Sequence, residues 1–208
     1  MPPPPADRYP VPAAAHRVEQ VIQRSRFVTT LARAATSEEA ADVVRRVSAE
    51  FADATHNCWA YVVGPPGSTG RVGMSDAGEP HGTAGRPMLT VLLHGGVGDV
   101  AAVVTRYYGG TKLGTGGLVR AYSGCVQQAL ASLPTVERVT YVPLAVTVDY
   151  AAVTAVQQLL AAHEAVVDAE TYGAAAAYRV RVPESRVAAF RAAVLDATRG
   201  RGLVEEGA

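Results

Sequence analysis

This sequence predicts an α+β fold in two domains, on three observations. Apolar stripes at helical spacing alternate along the chain with β-branched runs at strand spacing. The last third reads strand, helix, strand, strand, helix, strand over about 70 residues, the βαββαβ order of ferredoxin-like units. Between the halves, Pro134 closes a long helical stripe just before a new strand-and-helix series starts near Val136.

Residues 1–15, MPPPPADRYPVPAAA, read as a disordered Pro/Ala tail with polyproline II character. The stretch 16–34 reads as two strands interrupted near Gln23–Ser25. A helix follows over 36–51, where Thr36 or Ser37 with Glu38 and Glu39 forms a capping pattern. Its apolar face is Ala40, Val43, Val44, Val47 and Phe51. Residues 58–64 form a strand stopped by Pro65–Pro66–Gly67, and RVGMS pairs back on it as a hairpin. In 82–96 the spacing of Leu89, Leu92 and Leu93 favours a helix closed by glycine. DVAAVVTRYYGG (99–110) is a buried strand. From Thr115 to Leu133 a helix carries Leu118, Tyr122, Cys125, Val126, Ala129, Leu130 and Leu133 on one face. The later elements are strand 144–150, helix 151–163, strands 165–173 and 177–183, helix 184–200 and a short strand GLVEE. The expected domains are therefore 16–135 and 136–208.

Composition removes several function classes. The 208 residues are 49% hydrophobic and 18% charged, with 19 cationic and 19 acidic side chains. No global field draws such a chain to nucleic acid or an anionic membrane, so any such contact must be a local patch. Two cysteines, Cys58 and Cys125, cannot build a disulfide framework or a four-cysteine zinc site. Neither a secretory pattern nor an apolar span is visible, so a cytoplasmic protein without a membrane role is expected.

The densest chemistry lies in TRYYGGTKLGTGGLVRAY (105–122). It holds five glycines and Lys112, the only lysine of the chain. A strand running into a glycine-rich loop that opens a helix is an anion cradle. The first helical amides lack intrahelical partners, and glycine lets a ligand reach the backbone. With the cap at Thr115 or Gly116, the amides of Gly117, Leu118 and Val119 point outward, and Arg106, Lys112 and Arg120 add charge. The spacing is neither a P-loop nor a dinucleotide fingerprint. Glycines serving only tight turns and close packing explain the loop about as well on spacing alone. The lone lysine tips the balance to function, because a compact ammonium on a flexible stem differs from guanidinium at a phosphate.

Two further clusters stand out. SDAGEPHGTAGRP (75–87) gathers Asp76, Glu79, His81 and Arg86 in a turn-rich stretch, where caps and turn hydrogen bonds explain the acids better than a metal does. HNCWAY (56–61) pairs His56 with Cys58, but side chains two apart on a strand lie side by side on one face. Cys58 therefore reads as core and His56 as facing the glycine loop. No catalytic set and no cofactor motif emerges, and no metal site is expected.

Together these blocks closely resemble the IMPACT family, in its bacterial YigZ-type branch. They are His56-x-Cys58-x-Ala60-Tyr61, the run from Ser75-Asp76 through Gly82-Thr83-Ala84-Gly85 to Pro87, and Thr105-Arg106-Tyr107 through Gly109-Gly110, Lys112-Leu113-Gly114 and Gly116-Gly117-Leu118 to Tyr122. Two departures occur: Ala77 where a second aspartate is frequent, and Tyr108 where phenylalanine is usual. The resemblance implies an N-terminal domain like the second domain of ribosomal protein S5. It implies a ferredoxin-like second domain similar to one in translational elongation factor G. Eukaryotic members look like regulators of translation under amino-acid starvation, acting through an extra N-terminal domain that the 15 residues here do not supply. For bacterial members the fold suggests nucleic-acid or ribosome association.

The expectation is thus a non-enzymatic, translation-associated protein that binds RNA or the ribosome. Arg106, Lys112, Thr115, Gly116, Gly117, Leu118 and Arg120 would form the anion site, with His56, Asp76, Glu79, His81 and Arg86 as neighbours. Arg179 and Arg181, alternating on a strand, would make a secondary contact. The competing expectations are an enzyme that binds a nucleotide or phosphorylated ligand in the same loop, and a protein-interaction module whose partner acts in translation control.

Overall fold

The computed structural model describes residues 7–207. The described chain is mixed α+β and falls into two units. One is Tyr9–Glu137; the other is the chain from Arg138 onward together with the residues up to Arg8.

Strand β1 (Arg8–Pro12) precedes β2 (His16–Ile22) and β3 (Ser25–Arg33), an antiparallel hairpin turning at Gln23 and Arg24, both at positive φ. Helix α1 (Ser37–Glu50) starts where the capping residues predict. Thr36 Oγ1 accepts from the Glu39 amide at 3.1 Å, and Glu39 reaches back to the Ala35 amide at 2.8 Å. Strands β4 (His56–Val62) and β5 (Val72–Ser75) form the expected hairpin, and α2 (Gly85–His94) is closed at Gly95. Next come β6 (Val100–Tyr107) and α3 (Gly114–Ala131). The five-stranded sheet runs β2-β3-β6-β4-β5.

Period-two alternation sorts the two faces of this sheet. Val100, Ala102 and Val104 of β6 and Cys58, Ala60 and Val62 of β4 face α2 and α3, whose Met88, Leu92, Leu118, Tyr122, Cys125 and Val126 complete that core. Ala101 and Val103 face the other way, onto Ala40, Val43 and Val47 of α1. Central strand β6 is therefore covered on both faces, which is why VAAVVT reads as an unbroken apolar run.

Strand β7 (Thr135–Val139) leads to β8 (Tyr141–Val148), α4 (Val153–Ala162), β9 (Val166–Tyr172), β10 (Ala176–Pro183), α5 (Val187–Ala197) and β11 (Leu203–Glu206). From β8 on, the order is strand, helix, strand, strand, helix, strand, and the antiparallel sheet runs β11-β8-β10-β9. Leu144, Val146 and Val148 with Tyr178, Val180 and Val182 face Val156, Leu160, Phe190 and Val194 of the two helices. This unit has its own core.

One expectation needs correction. The Pro/Ala tail was expected to run to residue 15, but Arg8–Pro12 is a strand paired with β7. Val11 is fully buried, and the Tyr9 hydroxyl donates to Asp99 at 3.0 Å. Pro10 and Pro12 suggested an unpaired segment, yet proline is compatible with a strand at a sheet edge. Residues 1–6 of that tail lie outside the described residues. Among the described residues, no helix is long and apolar enough to cross a membrane.

Candidate functional site

The site begins as a row across three strands. Register pairs Phe27 of β3 with Arg106 of β6, and Arg106 with His56 of β4. All three sit at one end of the face that packs α2 and α3. Arg106 occupies the position that would continue Val100, Ala102 and Val104, so a guanidinium stands where the pattern calls for an aliphatic side chain. It is only 5% exposed.

A buried charge needs a partner, and the 75–87 segment supplies one. Glu79 Oε1 accepts from Arg106 Nη1 at 2.6 Å and from the Tyr122 hydroxyl at 2.7 Å. Arg106 Nη2 donates to Ser25 Oγ at 3.3 Å, whereas its buried Nε has no partner. His56 Nδ1 lies 2.9 Å from the Ala77 carbonyl, so that nitrogen carries the proton. Its Nε2 stands 3.9 Å from Glu79 Oε2. Cys58 donates to the Asp76 carbonyl at 2.9 Å and touches the Tyr122 hydroxyl at 3.4 Å. Burial pushes the Cys58 thiol up to about 12 and the Cys125 thiol up to about 11, so both stay protonated and inert at neutral pH.

Asp76 has a different task. Its carboxylate accepts from the amides of Gly82 (2.8 Å), Ala84 (2.9 Å) and Gly85 (2.8 Å), and so caps the start of α2. Burial works to raise its pKa, but those amides outweigh it and hold the carboxyl below its usual value of 3.8. The stabilisation is therefore fully present above that value and is lost as pH falls through the lower folded value. Asp76→Ala should cost about 2 kcal/mol at pH 7 in urea unfolding. The gap from wild type should narrow toward pH 3; a gap independent of pH would refute the capping role.

Above the buried pair lies a cleft of about 510 Å³. Thr55, His56, Glu79, Pro80, Arg106 and Tyr108 line it on one side, and Lys112, Leu113, Gly114, Thr115 and Leu118 on the other. Helix α3 opens into it without a side-chain cap. Helix α3 begins at Gly114, so the amides without an intrahelical partner are those of Gly114, Thr115, Gly116 and Gly117. The sequence places the open amides at Gly117, Leu118 and Val119, so the two sets meet at Gly117. Gly114 itself is at φ +70°, so the regular turn starts at Thr115 as the sequence suggested. Lys112 is exposed and, among the described residues, has no hydrogen bond or ion pair. With Glu79 and Arg106 neutralising each other, Lys112 and the helix dipole leave the cleft net positive.

The sequence-selected residues thus divide. His56, Glu79, Arg106, Lys112, Thr115 and Leu118 meet in this cleft. Gly117 and Arg120 open on a separate depression beside Ile22 and Gln23. Asp76, His81 and Arg86 line a third, where the fully exposed His81 stands 3.8 Å from Asp76. Arg179 and Arg181 lie in the other unit, on the exposed face of β10. Arg181 is paired with Asp168 at 3.0 Å and lies over the Tyr141 ring. Tyr107, Tyr108 and Tyr122, which the sequence offers as a stacking face, also divide: Tyr122 is core, Tyr107 donates to Asp53, and Tyr108 is 45% exposed in the cleft. Thr55, Pro80 and Leu113 carried no sequence signal as lining residues, although the inward register of Arg106 was readable from the alternation of β6. Among the described residues, no group of three His, Cys, Asp or Glu side chains could hold a metal ion.

The segment that builds this sheet, loop and helix is an Impact N-terminal domain. The chain belongs to the IMPACT family. Residues 23–130 match the Impact N-terminal domain, and 146–201 match a domain of unknown function, DUF1949. It is 43% identical to the IMPACT family member YigZ of Escherichia coli over 91% of this chain and 93% of that one. It is 36% identical to the IMPACT family member YvyE of Bacillus subtilis over 91% and 86%. A solved structure described only as a hypothetical protein superposes with a TM-score of 0.68 at 40% identity, covering 97% of this chain and 98% of that one.

Proposed function

We propose that this chain is a non-enzymatic, translation-associated protein that binds RNA, free or in the ribosome. A backbone phosphate would seat at the start of α3. The amides of Gly114, Thr115 and Gly116 form the cradle, Lys112 is the mobile clamp, and Arg120 approaches from the outer side of the helix. We read the first unit as the S5-like domain and the second, with its 4-1-3-2 strand order, as ferredoxin-like. Arg179 makes the secondary contact, with Arg181 held back by Asp168.

One observation carries this reading: the only lysine of the chain stands unpaired at the mouth of a cleft that ends in an uncapped helix. Against a purely structural tether, it ties nothing down among the described residues. Gly116 supports the reading. A Cβ there would meet nothing nearer than Arg120 Nη1 at 3.7 Å, and its φ is not positive, so packing and conformation do not require glycine. What a Cβ would obstruct is approach to the first-turn amides. The size of the cleft favours a second reading, a free nucleotide or phosphorylated ligand, since pockets of about 300–1,000 Å³ hold small molecules.

The test is binding of a 12-nucleotide single-stranded RNA against salt, read by fluorescence anisotropy. Lys112→Ala should weaken binding and lower the salt slope by about 0.7, one phosphate contact on a single strand. Lys112→Arg should recover part of the affinity. Gly116→Ala and Gly124→Ala, both helical and sterically open, should each stabilise the protein by about 0.5–1 kcal/mol. Only Gly116→Ala should weaken RNA binding. An unchanged slope in Lys112→Ala rules the phosphate seat out.

A further inference from the structure

We infer that the cleft takes one unstacked nucleotide, its base lying on the open face of Tyr108 and its phosphate at the start of α3. This deepens the RNA reading above and rests on it. The Arg106 guanidinium is within cation–π range of two aromatic rings. It lies 5.6 Å from the centre of the buried Phe27 ring and 5.5 Å from that of Tyr108. Of the two rings, Tyr108 is the outer one. Tyr108 is 45% exposed, and its hydroxyl bonds to nothing among the described residues.

The backbone of Tyr108 and the guanidinium beside its ring are both held. The Tyr108 amide donates to Thr55 Oγ1 at 3.0 Å, and the guanidinium beneath it is fixed by Glu79 and Ser25. An exposed aromatic ring lining a cleft is a platform for a base, because every base has a π-face. The remaining apolar walls, Pro80, Leu113 and Leu118, suit a flat ring and not an extended charged chain.

The second half of the ligand is set by what shares the cleft. Lys112 and the open amides of Gly114 and Thr115 line the same 510 Å³, so a planar ring and an anion must belong to one molecule of nucleotide size. A duplex cannot present a base to Tyr108 without unstacking it, whereas a single strand or an end can. The inward Arg106, held by Glu79, sets a planar guanidinium beside the Tyr108 ring.

The experiment uses the full chain and three probes: an 8-nucleotide RNA with one 2-aminopurine, an abasic ribose–phosphate oligomer of the same length, and AMP. The wild type should quench the 2-aminopurine and bind the RNA about tenfold more tightly than the abasic oligomer. Tyr108→Ala should bind both oligomers alike, and Tyr108→Phe, which keeps the ring, should restore the difference. A thermal melt of each variant establishes that it is folded. If the abasic oligomer binds as tightly as the RNA and Tyr108→Ala changes nothing, the base platform is wrong while the phosphate seat stands. If AMP binds through Tyr108 and neither oligomer binds, the nucleotide cleft stands and the RNA reading falls. If no probe binds, both fall.

Discussion

Glu79→Ala should destabilise the protein by about 3–5 kcal/mol, because it strands the Arg106 charge in the core. Arg106 and Glu79 side chains are 6% and 3% exposed, and they meet at 2.6 Å. Removing the carboxylate leaves a nearly buried guanidinium without its counter-charge, and it also removes the acceptor of the Tyr122 hydroxyl. For a chain of this length that loss corresponds to a fall in melting temperature of about 6–20 °C. Glu79→Gln keeps an acceptor for both donors but not the charge, so it should fall between alanine and wild type. Replacing both partners with apolar groups of similar size, as Glu79→Leu with Arg106→Met, should recover most of the stability. That double variant then separates two roles of Arg106, since a stable protein without the guanidinium also lacks the planar group beside the Tyr108 ring. A loss under about 1 kcal/mol for Glu79→Ala would mean that the pair is solvated and the cleft floor is misassigned.

The elements that carry their own signals were legible from sequence. Thr36 with Glu39, the Gly95 stop and the alternation in β8 and β10 act locally, and each element lies where those residues place it. Strand β1 was not legible, because its pairing with β7 depends on a segment more than a hundred residues away and its prolines carry the opposite local signal. At the site, the alternation of β6 puts Arg106 inward. Its partner Glu79, however, comes from a turn-rich segment whose position is set by Asp76 gathering three amides. No periodicity encodes that kind of contact. Spacing likewise could not sort the glycines of the 105–122 loop: Gly110 and Gly114 are at positive φ, Gly109 is crowded, and Gly116 is neither.

Gly109→Ala should therefore be the most damaging of the loop substitutions, at about 2–4 kcal/mol. A Cβ on Gly109 would stand 1.8 Å from the Arg24 carbonyl oxygen, 2.1 Å from its carbon and 2.6 Å from the Ser25 nitrogen. These are backbone atoms of the β2–β3 turn, where Gln23 and Arg24 already hold positive φ, so the turn cannot yield as a side chain would. The Arg26–Tyr107 pair of the β3–β6 ladder lies just inside the contact, and Gly109 donates to Ser25 Oγ at 3.3 Å. Relief must come from the loop, which would lift Tyr108 and Lys112 away from the cleft. RNA affinity should accordingly drop in Gly109→Ala even well below its melting temperature. Gly110→Ala is the control. Nothing lies within 4 Å of its Cβ, so only the φ of +84° opposes a side chain, at about 1–2 kcal/mol. Urea unfolding of the two variants side by side decides the matter. If Gly109→Ala loses no more than Gly110→Ala, the loop does not press on the turn, and the platform that places Tyr108 and Lys112 has some other support.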